Sequence, residues 1–163
     1  MKIDELILRF SGTKDNQQKA IFNTLFIVSN KLQTLFDNHI PELSLKQFLL
    51  LSVVRQTKEY LTFTQLGEML GCSRQNIKKI ADVLMKKGFV IMRKSTDDPR
   101  AMCIFPTEKS DIYFQNDFSK YQEELKNLFE VFTDEEVKEL FLLLSKLYSG
   151  IDNLEKKSTD KNL

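Results

Sequence analysis

Residues 62–94 read TFTQLGEMLGCSRQNIKKIADVLMKKGFVIMRK, and the changes of period within this stretch decide the fold. Thr62-Phe63-Thr64-Gln65 is a capping box, in which the Thr hydroxyl accepts from an early helix N–H and Gln65 reaches back to the cap. It opens a short helix carrying Leu66, Met69 and Leu70, closed by Gly71 as a left-handed cap. Ser73 then reads as the N-cap of a second helix, which Gly88 stops. Ile77, Ile80, Ala81 and Leu84 fall on one face of that helix, and Gln75, Lys78, Lys79, Asp82 and Lys86 on the other. Gly67 sits inside the first short helix, where Gly costs about 1 kcal/mol against Ala. Close approach of the second helix, which a side chain would block, is the expected return.

After Gly88 the period changes to two. Phe89 to Lys94 reads as a strand, Ser95 to Pro99 as a turn and Ala101 to Phe105 as the returning strand. Upstream, Pro41 punctuates the chain and Ser44-Leu45-Lys46-Gln47 forms another capping box. The helix it opens is expected to bury Leu45, Phe48, Leu49 and Val53.

Before it, a long helix is expected from about Thr13 to Asp37, with Ile21, Leu25, Val28, Leu32 and Leu35 stepping 4, 3, 4, 3. Phe22, Phe26, Ile27 and Phe36 add a second apolar flank, which calls for burial from more than one side. Downstream, one helix is expected from about Glu108 to Val131. A last helix opens on a third capping box, Thr133-Asp134-Glu135-Glu136. Its Val137, Leu140, Leu144, Leu147, Ile151 and Leu154 repeat the heptad stripe, and Lys156 to Leu163 are expected to fray.

The 163 residues suit one domain of ordinary globular composition, 42% hydrophobic and 29% charged. Five Gly and three Pro favour a mainly helical chain over a loop-rich all-β one. No apolar run reaches the roughly 18 residues of a membrane span. Met1 to Phe10 alternates charged and apolar residues without the basic and apolar blocks of a secretion signal, so a cytoplasmic location is expected.

Net charge is only +1, yet it is unevenly spread. Gly71 to Phe105 holds eight cations and three carboxylates, and the rest of the chain sixteen cations and twenty carboxylates. A basic block in an otherwise acidic chain suits phosphate binding.

Two short helices about a Gly turn, the second basic and capped, followed at once by a hairpin, make a winged helix-turn-helix. Arg74, Gln75 and Asn76 in the first turn are residue types that reach base edges bidentately, Arg to guanine and Gln and Asn to adenine. Lys78 and Lys79 suit phosphates, as does Lys94 at the end of the first strand.

The stretches Leu66 to Asn76 and Leu84 to Val90 resemble the multiple-antibiotic-resistance regulator (MarR) family, and Asp98-Pro99-Arg100 resembles its D-x-R wing tip. The order of elements matches as well, so the resemblance covers nearly the whole chain. Two departures stand out: the family usually has Ala where this chain has Gly67, and Leu-Thr where this chain has Phe105-Pro106-Thr107.

The resemblance implies a mainly α fold, a winged helix-turn-helix with a two-stranded β-wing and long N- and C-terminal dimerisation helices. It implies one domain over 1–163, with a DNA-binding lobe at 42–106 and a helical dimerisation lobe made of 13–38 with 108–155. It gives Ser73, Arg74, Gln75, Asn76, Lys78 and Lys79 to the recognition helix, Arg100 to a minor groove and Asp98 to shaping the wing. It implies a homodimer whose interface includes Ile21, Leu25, Val28, Val137, Leu140, Leu144, Leu147 and Ile151. The implied partners are a pseudo-palindromic double-stranded operator and a small aromatic ligand that relieves repression.

No catalytic constellation is visible. His39 is the single histidine, which removes His-rich zinc sites, and no cofactor or metal is expected. Asp97 and Asp98 read as turn formers before Pro99. Cys72 and Cys103 read as free thiols, packed as small hydrophobes. Two functions stay open, a DNA-binding regulator and a helical protein–protein module that keeps this shape without reading DNA.

Overall fold

The computed structural model describes residues 3–39, 42–57, 60–95, 98, 100–116 and 118–160. The elements are α1 (Ile3–Phe10), α2 (Lys14–His39), α3 (Leu45–Gln56), α4 (Phe63–Leu70), α5 (Arg74–Lys86), β1 (Val90–Lys94), β2 (Met102–Pro106), α6 (Glu108–Asn116), α7 (Phe118–Phe129) and α8 (Asp134–Asp160). Packing divides the chain into two compact units, Met1–Phe118 and Ser119–Leu163. The expected fold class holds: mostly helix, with one two-stranded antiparallel sheet.

All three capping boxes form. The Ser44 and Thr62 hydroxyls accept from the Gln47 and Gln65 amides while each Gln side chain returns to its cap. Thr133 Oγ1 accepts from the Glu136 N–H at 3.2 Å, and the Glu136 carboxylate accepts from the Thr133 N–H at 2.9 Å. Each box satisfies amides that have no partner inside the helix, so these helices start where the chain says.

Two expectations are corrected, at the end of α8 and on α3, and one helix is added to those expected. Ile3–Phe10 forms a helix of its own, readable in hindsight from Ile3, Ile7 and Phe10 at spacings of 4 and 3. The helix expected from Glu108 onward is described as Glu108–Asn116 and Phe118–Phe129, and Asp117 between them lies outside the described residues. α8 continues to Asp160, past the expected fraying at Lys156, while residues 161–163 lie outside the description.

The second correction is the buried face of α3, which is Phe48, Leu50, Leu51 and Val54, with Leu49 exposed and Leu45 and Val53 half-buried. This helix packs on α2, α5 and β2 at once, and its apolar run offers no unique face for periodicity to select.

The core of the first unit joins α3 to Leu66 of α4, to Ile77, Ala81 and Leu84 of α5, and to Phe89, Val90 and Ile104 around the sheet. Each large side chain buried there contributes roughly 1.5–3 kcal/mol. The expected apolar face of α5 holds at Ile77, Ala81 and Leu84, with Ile80 half-buried, whereas Met69 of α4 is exposed. Gly71 closes α4 at φ 63°, and the Cys72 N–H reaches the Gly67 carbonyl at 2.8 Å. A Cβ on Gly67 would lie 2.6 Å from the Cys72 carbonyl oxygen and 3.5 Å from the Arg74 amide nitrogen, so a side chain is blocked as expected, but by the turn before α5 rather than by the helix itself.

α5 ends in the same way. Gly88 takes φ 79°, and the Phe89 N–H returns to the Leu84 carbonyl at 2.9 Å, which turns the chain directly into β1. The β1–β2 register runs from Val90 opposite Pro106 to Lys94 opposite Met102. Pro106 therefore stands at the strand end, where a missing amide is tolerated. Thr107 closes the hairpin, its hydroxyl donating to the Gly88 carbonyl at 2.7 Å and its N–H to that of Phe89 at 3.0 Å. Thr62 bridges Cys103, which ties the start of α4 to the hairpin.

Candidate nucleic-acid interface

The Ser73 hydroxyl accepts from the Asn76 amide at 3.2 Å, so this side chain is occupied in starting α5. Arg74, Gln75, Lys78 and Lys79 are exposed and Asn76 is half-buried. With Ile77, Ala81 and Leu84 fully buried, α5 is pinned along one side and free along the other.

The hairpin adds a second basic surface. Among the predicted residues, Arg74, Lys94, Asp98 and Arg100 line one groove of about 750 Å³, whereas Gln75, Lys78 and Lys79 lie along α5 outside it. Its other walls include Tyr60, Thr62, Thr64 and Phe105, with the Tyr60 and Phe105 ring centres 4.2 Å apart and the rings tilted by 36°. Tyr60 and Thr64 had no role in the sequence reading. No local pattern in the chain links them to the hairpin, and only packing brings the start of α4 beside it.

Asp98 organises the hairpin tip. Its carboxylate accepts from the Arg100 N–H at 2.9 Å, its carbonyl from the Ala101 N–H at 2.9 Å, and the Ser95 N–H closes on the Ala101 carbonyl at 2.9 Å. Arg100 is thereby held on an exposed turn. Thr96, Asp97 and Pro99, the rest of the expected turn, lie outside the described residues, as does Pro41.

Not every cation of the basic block is available. Lys87 donates to the Glu42 carbonyl and, at 3.0 Å, to Gln47 Oε1. It thus holds the end of α5 to the start of α3, where Glu42 takes the left-handed φ of 64°. Arg93 lies over the Phe105 ring at 5.5 Å. Cys72 is half-buried and Cys103 buried, both as free thiols. No group of three or more metal-ligating side chains occurs among the described residues. No described helix is long and apolar enough to cross a membrane.

Replacing Asp98 with Ala is expected to expose the Arg100 amide to fast hydrogen exchange while changing global stability by less than about 0.5 kcal/mol, since every partner is exposed. Asp98→Asn keeps the acceptor and should restore protection. Unchanged exchange in the Ala variant would show that the carboxylate does not shape the tip.

Residues 43–102 match the sequence profile of the MarR family. The transcriptional repressor MprA of Escherichia coli, in strains K12 and O157:H7, is 28% identical over 106 residues, 65% of this chain and 60% of the relative's own length. Among solved structures, the transcriptional regulator BldR from Sulfolobus solfataricus superposes with a TM-score of 0.76 at 19% identity, covering 84% of this chain and 98% of that one. A MarR/EmrR family regulator from Acinetobacter sp. ADP1 gives 0.70 at 22% identity, covering 86% and 99%. An organohalide-sensing regulator solved with 2,4-dichlorophenol gives 0.71 at 19% identity, covering 86% and 83%.

Proposed function

We propose, from the match of residues 43–102 to the MarR family, that the chain is a homodimeric, sequence-specific regulator of transcription of that family, a repressor that binds double-stranded DNA in the bacterial cytoplasm. The observation that carries the reading is the pairing of a pinned, basic α5 with a hairpin whose Lys94 and Arg100 share one groove with Arg74. A polyanion with two grooves fits this surface: a helix enters the major groove while a hairpin tip reaches the adjacent minor groove.

In this reading residues 42–106 are the DNA-binding lobe and 13–38 with 108–155 the dimerisation lobe of one MarR-like domain. Arg74, Gln75 and Asn76 carry sequence preference, and Ser73 sets the helix start that aims them. Lys78, Lys79 and Lys94 meet phosphates. Arg100, with its turn shaped by Asp98, favours a narrow A·T-rich minor groove, where negative potential is strongest. Two such surfaces related by a two-fold axis meet successive major grooves about 10 bp apart in a pseudo-palindrome. A small aromatic ligand relieves repression by binding the DNA-incompetent arrangement better than the competent one.

The test compares Arg74→Ala, Lys79→Ala and Arg100→Ala on the selected operator and on random duplex at several salt concentrations. Arg74→Ala should lose about 1–3 kcal/mol of discrimination per half-site. Lys79→Ala should weaken both duplexes alike and lower the salt slope by about one per lost contact. Arg100→Ala should lose most on A·T-rich flanks. An added arm with 2,4-dichlorophenol should weaken operator binding, and no change with this or other phenols would remove the ligand from the reading. If none of the variants affects either duplex while fold and dimer persist, a protein–protein module replaces the DNA-binding reading.

A further inference from the structure

The basic face of α5 contains one carboxylate, Asp82, and its position is informative. At 3.6 residues per turn, Gln75, Lys79, Asp82 and Lys86 fall within an arc of about 60° opposite the buried Ile77, Ala81 and Leu84. Asp82 therefore belongs to the outward ridge. Lys78 and Lys79 precede it by four and three residues and Lys86 follows it by four, all spacings that bring helix side chains together. Among the described residues, nonetheless, none of these cations pairs with its half-buried carboxylate.

An unpaired negative charge on a surface meant for DNA repels phosphates and lowers affinity for every sequence. It regains affinity only against a donor on a base edge. The major groove offers two exocyclic amines, cytosine N4 and adenine N6. Adenine N6 lies between two acceptors, its own N7 and the thymine O4 across the pair, and both repel a carboxylate. Cytosine N4 has guanine O6 on one side and a C5–H on the other.

We infer that Asp82 is a specificity determinant that accepts from cytosine N4 at one fixed position of each half-site, an inference that rests on the DNA-binding reading above. Asp82 stands seven residues beyond Gln75, roughly 10 Å along the helix axis, so it meets a different base pair from the first-turn residues. Its role is to penalise wrong sequences as much as to favour the right one.

The experiment selects bound duplexes from a random pool with the wild-type dimer, Asp82→Ala and Asp82→Asn, and scores base preference position by position. The wild type should enrich cytosine at one position per half-site. Asp82→Ala should erase that preference, about 5- to 150-fold, leave the other positions unchanged and bind random duplex more tightly. Asp82→Asn should move the same position toward adenine, which Asn reads bidentately. Circular dichroism and sedimentation establish that both variants keep fold and assembly. Wild-type enrichment of an operator with an Asp82→Ala profile identical at every position would overturn the inference alone. Failure of the wild type to enrich any sequence would overturn the DNA-binding reading, and the inference with it.

Discussion

Leu144→Asp is expected to leave the protein monomeric at micromolar concentration and to weaken operator binding by at least about a hundredfold, the gain lost when two linked half-site contacts become one. The reason is the unusual amount of apolar surface on the long helices. Ile21 is 55% exposed, Phe26 59%, Tyr148 73% and Ile151 52%, and Leu25, Val28, Val137, Leu144 and Leu147 are exposed with them. Leu140 is half-buried. On α2 the Phe22 and Phe26 rings pack edge to face at 5.0 Å, themselves open to solvent. Contiguous apolar patches beyond a few hundred Å² are rare on monomers, and a stripe repeating every 3.5 residues suits a partner helix.

In a two-fold dimer each substitution counts twice. An uncompensated buried charge costs about 3–5 kcal/mol, so the pair costs roughly 6–10 kcal/mol, enough to raise a nanomolar dissociation constant at least ten-thousandfold. Sedimentation velocity between 1 and 10 μM is the measurement. A wild-type monomer, or a variant that still dimerises fully, would defeat the proposed interface.

The second large effect is expected at Gly67. Gly67→Ala should destabilise the protein by about 2 kcal/mol and Gly67→Val by about 3–4 kcal/mol, despite the better helix propensity of Ala. The added Cβ meets a backbone carbonyl, that of Cys72, at 2.6 Å, with the Arg74 amide nitrogen 3.5 Å away. A backbone cannot swing aside as a flexible side chain does. The turn must open, and it then carries the Ser73 cap and the start of α5 out of position. Urea denaturation measures the loss, and the operator affinity of the Ala variant should fall further than its residual folded fraction explains. A Gly67→Ala protein as stable as the wild type would mean that the turn relaxes at little cost.

How far the sequence alone reaches is clearest at the helix ends. Ser44, Thr62, Ser73 and Thr133 cap where they stand because a hydroxyl and an amide three residues on are neighbours whatever the tertiary surroundings. Gly71 and Gly88 adopt left-handed backbone for an equally local reason. The hairpin was legible from its change of period, and the basic ridge of α5 from the spacing of its cations.

What only the tertiary structure decided is whatever depends on neighbours distant in sequence. α3 turns a different face inward because three elements compete for it. Lys87, one more cation in the sequence, is tied to Glu42 and Gln47. Arg74 of a helix and Lys94 and Arg100 of a hairpin share a groove with Tyr60 and Thr64, residues that no local pattern links to them. Caps and turns are fixed over three or four residues by sterics and short hydrogen bonds, so the chain specifies them unaided. Buried faces and shared grooves are set by which surfaces exclude water together, and that is settled only when the whole unit packs.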